Sequence, residues 1–336
     1  PPGAYSEITP KRFAVAAYLN CGPQARVQQN GVTIECLNGQ AWNSNPGIDP
    51  ALSVHFAGTS LDYAVSGLKA GTDYILGLTW WDSDLRGRRQ SIVINGDEVL
   101  PDTRPVAYRG QPTPVRIQFA LPPESIKDGR IGLAIRNLEG PNAVTSELWI
   151  MERKQARAAK QVLLVSGQDY PGHDWRQTGP LMAEILAADE RLEVTICETP
   201  YATGLKHLGC YDAVFIHFKN YEAELPSTEA ARNGLKEFVM NGGGMCMSHF
   251  ACGAFQEWPE FVNLAGRVWD GTGHDKRGPF TVRGVDRTHP VTRGLEAFQT
   301  DDELYFCLTG QPGIHLLCDA HYPVEDPDHP QALVLH

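Results

Sequence analysis

Residues 161–177 read QVLLVSGQDYPGHDWRQ. A continuous apolar run breaks at a glycine into a polar loop, and the chain beyond it places Leu181, Met182, Ile185 and Leu186 on one helical face. An uninterrupted apolar strand running into a loop and a helix is the mark of a strand buried on both faces. The same unit recurs downstream. VTIC at 194–197, AVFIH at 213–217 and GMCMSH at 244–249 are short apolar runs, with a helical stretch around AARNGLKEFVMN between the last two. Strands alternating with helices predict a parallel sheet of flavodoxin-like winding. PFTVRGV, ELYFCL, GIHLLC and ALVLH read as further strands, and an end at His336, in or just after a strand, suggests that the α/β domain is cut short.

Upstream the pattern is different. SVHFAG, DYILGLTWW, RQSIVINGDEVL, TPVRIQFAL, GRIGLAIRN and SELWIMER are strand-length runs separated by Gly, Pro, Asn and Asp. With the Asn95-Gly96 turn between IVI and EVL, they predict an antiparallel β-sandwich. The expected organisation is a sandwich over 1–155 and an α/β domain over 160–336, divided at the charged segment ERKQARAAK. A length of 336 residues suits two domains, each with its own core.

Composition bounds the function. At 42% hydrophobic and 21% charged residues the chain is that of an ordinary globular protein, and a net charge of −11 with no clustered Lys/Arg face argues against nucleic acid as a partner. No apolar run approaches the ~18 residues needed to span a bilayer. Eight cysteines, at 21, 36, 197, 210, 246, 252, 307 and 318, form no CxxC pair and no zinc-finger spacing. Within apolar strands they read as small buried hydrophobes. Cys21 and Cys36 are a disulfide candidate if the protein is exported.

Ligands of open parallel sheets bind at the carboxyl ends of the strands. Three polar loops are expected there: one with Asp169, His173, Asp174 and Arg176, one with His217, Lys219, Asn220 and Glu222, and one with Ser248, His249 and Cys252. His173 and His249 are the acid/base candidates, imidazole being the side chain best poised for proton transfer near neutrality. His217 ends a buried strand and reads first as structural, otherwise as lining the site with Lys219 and Asn220. In TDDELYF (300–306), Glu303 is the carboxylate nearest the apolar run and the expected partner of a histidine. RVWDGTGHD brings Trp269, Asp270 and His274 together on a loop able to meet a sugar's apolar face and hydroxyl rim. His173, His217, His249 and Glu303 are also candidate ligands for a divalent metal such as zinc, though no HxH or HExxH spacing supports it.

VLLVSGQDYPGHDW, AVFIHFKNYE, NGGGMCMSHFACGAFQEWPEFVNLAGRVWDGTGHD, RTHPVTRGL and TDDELYF, in this order, resemble the ThuA-like family, named for trehalose utilisation. The resemblance implies a fold related to the class I glutamine amidotransferases and a role in carbohydrate metabolism on keto-sugars or glycosides. GTDYILGLTWWDSDLRGRRQSIVINGDEVLP and GPNAVTSELWIMER resemble a galactose-binding or malectin-like carbohydrate-binding sandwich. There, alternation turns Trp80 into the core with Tyr74, Leu76 and Leu78, and leaves Trp81 as the aromatic for a sugar. In the amidotransferases the nucleophilic cysteine sits on the turn after the corresponding strand. This sequence departs from that pattern: alternation sidelines Cys246 within the strand, and Cys252 is the one thiol kept as a nucleophile candidate.

Three readings follow. The first is a carbohydrate-active enzyme, of hydrolase or lyase type, with histidine and carboxylate or metal-assisted chemistry. The others are a non-catalytic sugar-binding protein and a cysteine-dependent hydrolase or amidase. A sugar-binding sandwich suggests a periplasmic or extracellular location, with a cytoplasmic one also open.

Overall fold

The computed structural model describes residues 3–43, 52–105, 111–168, 170, 172–219, 228–255, 257–269, 271, 273–274, 276–311, 313–321 and 330–335. Asn220 and Asp270 lie outside this set. The chain forms two compact units, Pro1–Ser248 and His249–His336.

In the first unit, Phe13–Asn20, Glu147–Arg153, Tyr74–Trp80 and Val115–Leu121 form one antiparallel sheet in that order. Arg26–Gln29, Val32–Cys36, Ser60–Ser66, Arg130–Glu139, Arg89–Ile94 and Asp97–Thr103 form a second. Ala143–Thr145, Ser53–Ala57 and Gln40–Asn43 make a third, smaller one. The Asn95-Gly96 hairpin forms as expected, with φ of 51° and 89° at its two central residues. That double left-handed turn matches the twist of the flanking strands.

Every residue of Tyr74–Trp80 is buried. Alternation accounts for Trp80, Leu78, Leu76 and Tyr74, but the opposite face is covered too. There Trp149 stands across from Gly77 in the neighbouring strand. A Cβ at Gly77 would lie 2.2 Å from the indole, so only glycine lets the ring lie flat on the sheet.

The parallel sheet follows the predicted winding. Leu192–Cys197, Lys160–Val165, Ala213–Ile216 and Gly244–Met247 lie side by side in that order, all parallel. Helix Trp175–Ala187 links the first strand to the second in the chain. Helix Glu229–Met240, capped by the Thr228 hydroxyl accepting the Ala231 N–H, precedes the fourth. The first helix turns its face differently from the periodicity: Met182 and Leu186 pack inward with Ala183, whereas Leu181 and Ile185 are exposed. Positions i and i+1 differ by about 100° on a helix, so four apolar residues in two adjacent pairs do not fix which edge of the stripe is buried.

The sandwich and the parallel sheet do not keep separate cores. Ile8, Phe13, Ile75, Trp149 and Met151 form one cluster with Val162, Leu164, Val194, Ile196 and Phe215. Beside it Arg116, on an edge strand of the sandwich, meets Glu198, just past an edge strand of the parallel sheet. Arg116 Nε donates to Glu198 Oε2 at 2.8 Å and Nη2 bonds Oε1, while the Arg116 backbone N–H donates to the same Oε2 at 3.0 Å and the Glu198 N–H donates to the Arg116 carbonyl at 2.9 Å. The side chains are 3% and 1% exposed.

In the second unit, Phe298–Asp302, Gly278–Gly284, Leu316–His321 and Pro330–Leu335 form an antiparallel sheet over Phe280, Val282, Leu304, Cys318 and Ala320. These late strands build their own sheet rather than extending the parallel one. ELYFCL is not one of them: the strand ends at Asp302, and Tyr305 contributes an isolated bridge. Cys246 is exposed, because Gly244–Met247 is an edge strand, where alternation does not imply burial. Cys21 and Cys36 are free thiols; the first lies 3.5 Å from the Tyr63 hydroxyl and the second accepts the Gly39 N–H.

Truncating one member of a buried ion pair strands the other, at about 3–5 kcal/mol. Glu198→Ala is therefore expected to lower the unfolding free energy of the first unit, measured by urea denaturation, by about 3–5 kcal/mol, and a surface control such as Glu35→Ala to change it little.

Candidate functional site

At the carboxyl edge of the parallel sheet, His217 directly follows the strand Ala213–Ile216 and is 4% exposed. Its backbone N–H bonds the Val165 carbonyl at 2.8 Å, so the loop begins pinned to the first strand. Nδ1 lies 3.0 Å from Ser248 Oγ and Nε2 lies 2.9 Å from Thr178 Oγ1. Lys219 is also buried, with its N–H on the Gln168 carbonyl. His173 sits in the loop before the first helix, half-buried, its ring edge-on to Tyr170 at 5.8 Å. Thr178 and Ser248 were not singled out as partners in the sequence. The signal was faint, a hydroxyl at the end of one predicted strand and another one turn into a helix.

The second unit gathers His249, Trp269, His274 and Glu303 with a residue that sequence reasoning passed over, Tyr305. The Tyr305 ring is met by His249 at 5.1 Å, Trp269 at 5.3 Å and His274 at 5.5 Å between centroids. Trp269 and His274 also meet each other at 5.8 Å. The backbone dictates this arrangement. Val268 pairs with Thr309 and His274 with Tyr305 in two antiparallel bridges, and Phe306 N–H bonds the Gly273 carbonyl at 3.0 Å. A Cβ at Gly273 would lie 2.2 Å from the Phe306 carbonyl oxygen. Glycine is what allows the two segments to touch.

His249 has φ of 49°, in the left-handed region. Such a conformation costs free energy in a residue with a Cβ and concentrates at functional positions. Its Nε2 stands 3.5 Å from Asp302 Oδ1, and His274 Nδ1 stands 4.0 Å from Glu303 Oε2. These are electrostatic pairs, longer than good hydrogen bonds. The expected partnership of His249 with Glu303 is thus replaced: Asp302 faces His249 and Glu303 faces His274. The reason is local, since Asp302 and Glu303 are neighbours at the end of a strand and adjacent side chains diverge.

Trp269 also lines a cavity of about 660 Å³ with Cys252, Phe255, Trp258, Phe261 and Val268. Its N–H bonds the Cys252 carbonyl at 3.0 Å. Burial pushes the Cys197 thiol, by contrast, up to about 12, which fixes it as an apolar filler. Trp81 is half-buried beyond the end of Tyr74–Trp80, where Arg88 reaches Asp82 at 2.5 Å and Asn142 at 3.0 Å. Among the described residues no three His, Cys, Asp or Glu side chains are arranged to hold an ion, and none of the helices is long and apolar enough to cross a membrane.

A β-sandwich followed by a parallel α/β sheet of flavodoxin-like winding, with histidines and aromatics in the segments beyond its strands, defines the class. A family model described as ThuA, trehalose utilisation, matches residues 161–335, and the chain belongs to that family. Its role is therefore carbohydrate-related. Among solved structures, a ThuA-like protein from Parabacteroides merdae is 23% identical, over 52% of this chain and 74% of that one, with a TM-score of 0.44. A ThuA-like protein from Bacteroides uniformis is 19% identical over 54% and 77%, with a TM-score of 0.39. The extracellular domain of ANXUR2 from Arabidopsis thaliana is 14% identical over 43% and 50%, with a TM-score of 0.33. No curated protein matches the chain significantly.

Gly273→Ala should part the Gly273–Phe306 contact and so displace His274 from Tyr305. The expected result is a shifted His274 ring signal in a ¹H–¹⁵N spectrum, with the unfolding transition of the first unit unchanged.

Proposed function

We propose that this protein acts on a keto-sugar or keto-glycoside by acid–base chemistry at His249 and His274. The observation that carries this reading is one tyrosine ring flanked by two imidazoles and an indole, with a carboxylate beside each imidazole. The rings of Trp269 and Tyr305 offer apolar faces for the C–H face of a pyranose, and the imidazoles and carboxylates supply the polar rim.

A sugar oxidised at C3 suits such a site. The ketone acidifies the C2 proton, and a substituent at C1 then stands where it can be eliminated. One neutral imidazole takes the C2 proton, the C1–oxygen bond breaks, and the other histidine, as imidazolium, gives its proton to the departing oxygen. Asp302 and Glu303 place one carboxylate near each of these rings. His173, first expected as a catalytic partner, is not needed for these steps.

The test is turnover of a panel of 3-keto-glycosides and their unoxidised parents, followed by mass spectrometry of the released alcohol. His249→Asn and His274→Asn should each lower kcat about 10²-fold or more, and Trp269→Ala should chiefly raise KM. Unchanged kcat in both histidine variants would sink the assignment. Sugar binding without turnover in the wild type would instead favour a non-catalytic binding protein.

A further inference from the structure

The hydrogen bonds of His217 with Thr178 and Ser248 lie within the first unit and do not enter the sugar chemistry above. The Thr178 hydroxyl reaches the Asp174 carbonyl oxygen at 3.2 Å, an atom that can only accept. With its proton committed there, Thr178 Oγ1 accepts from His217 Nε2–H at 2.9 Å. Imidazole carrying its proton on Nε2 has a lone pair on Nδ1. Ser248 Oγ, 3.0 Å from that nitrogen, is then the donor. A hydroxyl whose proton already rests on a base, with the base oriented by a third group, is the arrangement of an activated nucleophile.

A second observation points to what would occupy the neighbouring space. Ser166 and Gln168, in the loop leaving the strand Lys160–Val165, are 1% and 2% exposed. Ser166 Oγ and Gln168 Nε2 have no hydrogen-bond partner among the described residues. A buried donor left unpaired bears its full desolvation penalty, so two on one loop are best understood as awaiting an acceptor. The loop is tied at one end to His217, whose N–H bonds the Val165 carbonyl, and at the other to Lys219, whose N–H bonds the Gln168 carbonyl. Ser248 N–H in turn bonds the Ile216 carbonyl at 3.4 Å. Ser166 Oγ faces Gly179, where a Cβ would come within 3.6 Å of it.

We propose that Ser248 is a nucleophile toward carboxylic esters, with His217 as its base, Thr178 as the positioning residue, and the Ser166 and Gln168 donors receiving the carbonyl oxygen. Ser248 Oγ adds to the ester carbonyl carbon as its proton passes to His217 Nδ1, and the carbonyl oxygen becomes an oxyanion. The bond to the alcohol oxygen breaks, and the alcohol leaves with the proton from His217. Water, deprotonated by His217, then attacks the acyl-serine, releases the carboxylic acid and restores Ser248.

The test uses the intact protein, a fluorophosphonate probe and p-nitrophenyl acetate, with peptide mapping of the adduct. The expected result is one adduct per chain at Ser248, absent in Ser248→Ala and formed about 10²-fold more slowly in His217→Gln. Thr178→Val should slow labelling while Thr178→Ser restores it, a pattern that loss of packing alone does not give. An unlabelled wild-type protein overturns the proposal. So does an adduct on another residue such as Cys252, or labelling as fast in His217→Gln as in the wild type. Activity on keto-glycosides plays no part in this readout, so either proposal can fail without the other.

Discussion

A guanidinium and a carboxylate can be taken as far from water as Arg116 and Glu198 only if they meet each other. The Born cost of burying one such ion in a medium of low dielectric is on the order of 20 kcal/mol before relaxation. The bidentate contact between them, together with the Arg116 N–H on the same carboxylate and the Glu198 N–H on the Arg116 carbonyl, offsets that cost and fixes where one sheet edge meets the other. Val115–Leu121 and Leu192–Cys197 are both edge strands, and edge strands left open are templates for pairing with other chains. Here each covers the other. The shared cluster from Ile75 and Trp149 to Val162 and Ile196 lies beside the pair. With the strands of the parallel sheet held at both their face and their edge, the loops at their carboxyl ends start from fixed points.

Those fixed points account for the arrangement around His217. It is buried at a strand end and held from three sides, by Val165 through its backbone and by Ser248 and Thr178 through its ring. In the second unit the constraint is different. The bridges of Val268 with Thr309 and of His274 with Tyr305, with a close approach that Gly273 permits because it lacks a Cβ, set Tyr305 among His249, Trp269 and His274. The left-handed backbone at His249 adds strain that packing elsewhere must offset.

Much of this could be read from the chain. QVLLVS, VTIC and AVFIH announce parallel strands because runs buried on both faces carry few polar interruptions, and GMCMSH joins them at an exposed edge, all four in the order expected of the winding. Asn95-Gly96 gave its turn because few other pairs adopt two left-handed residues in succession. The failures share a cause, which is that a one-dimensional pattern does not say what lies opposite. Leu181 and Ile185 look like core until the neighbour that would cover them proves to be on the other side. ELYFCL looks like a strand, yet pairing stops at Asp302. Glu303 was nearest the apolar run, but direction at the strand end gave His249 the other carboxylate. Tyr305 was passed over within an apolar run, and Ser248 stands 31 positions from His217, a separation at which no motif links them.

We propose that a sugar sits against the ring cluster of His249, Trp269, His274 and Tyr305. The most direct measurement is a ¹H–¹⁵N spectrum of histidine side chains, assigned by substitution, during titration with a 3-keto-glucoside. The account predicts that the ring signals of His249 and His274 shift together along one saturation curve while that of the sandwich residue His55 stays fixed. Saturable binding that leaves both His249 and His274 unmoved would contradict it.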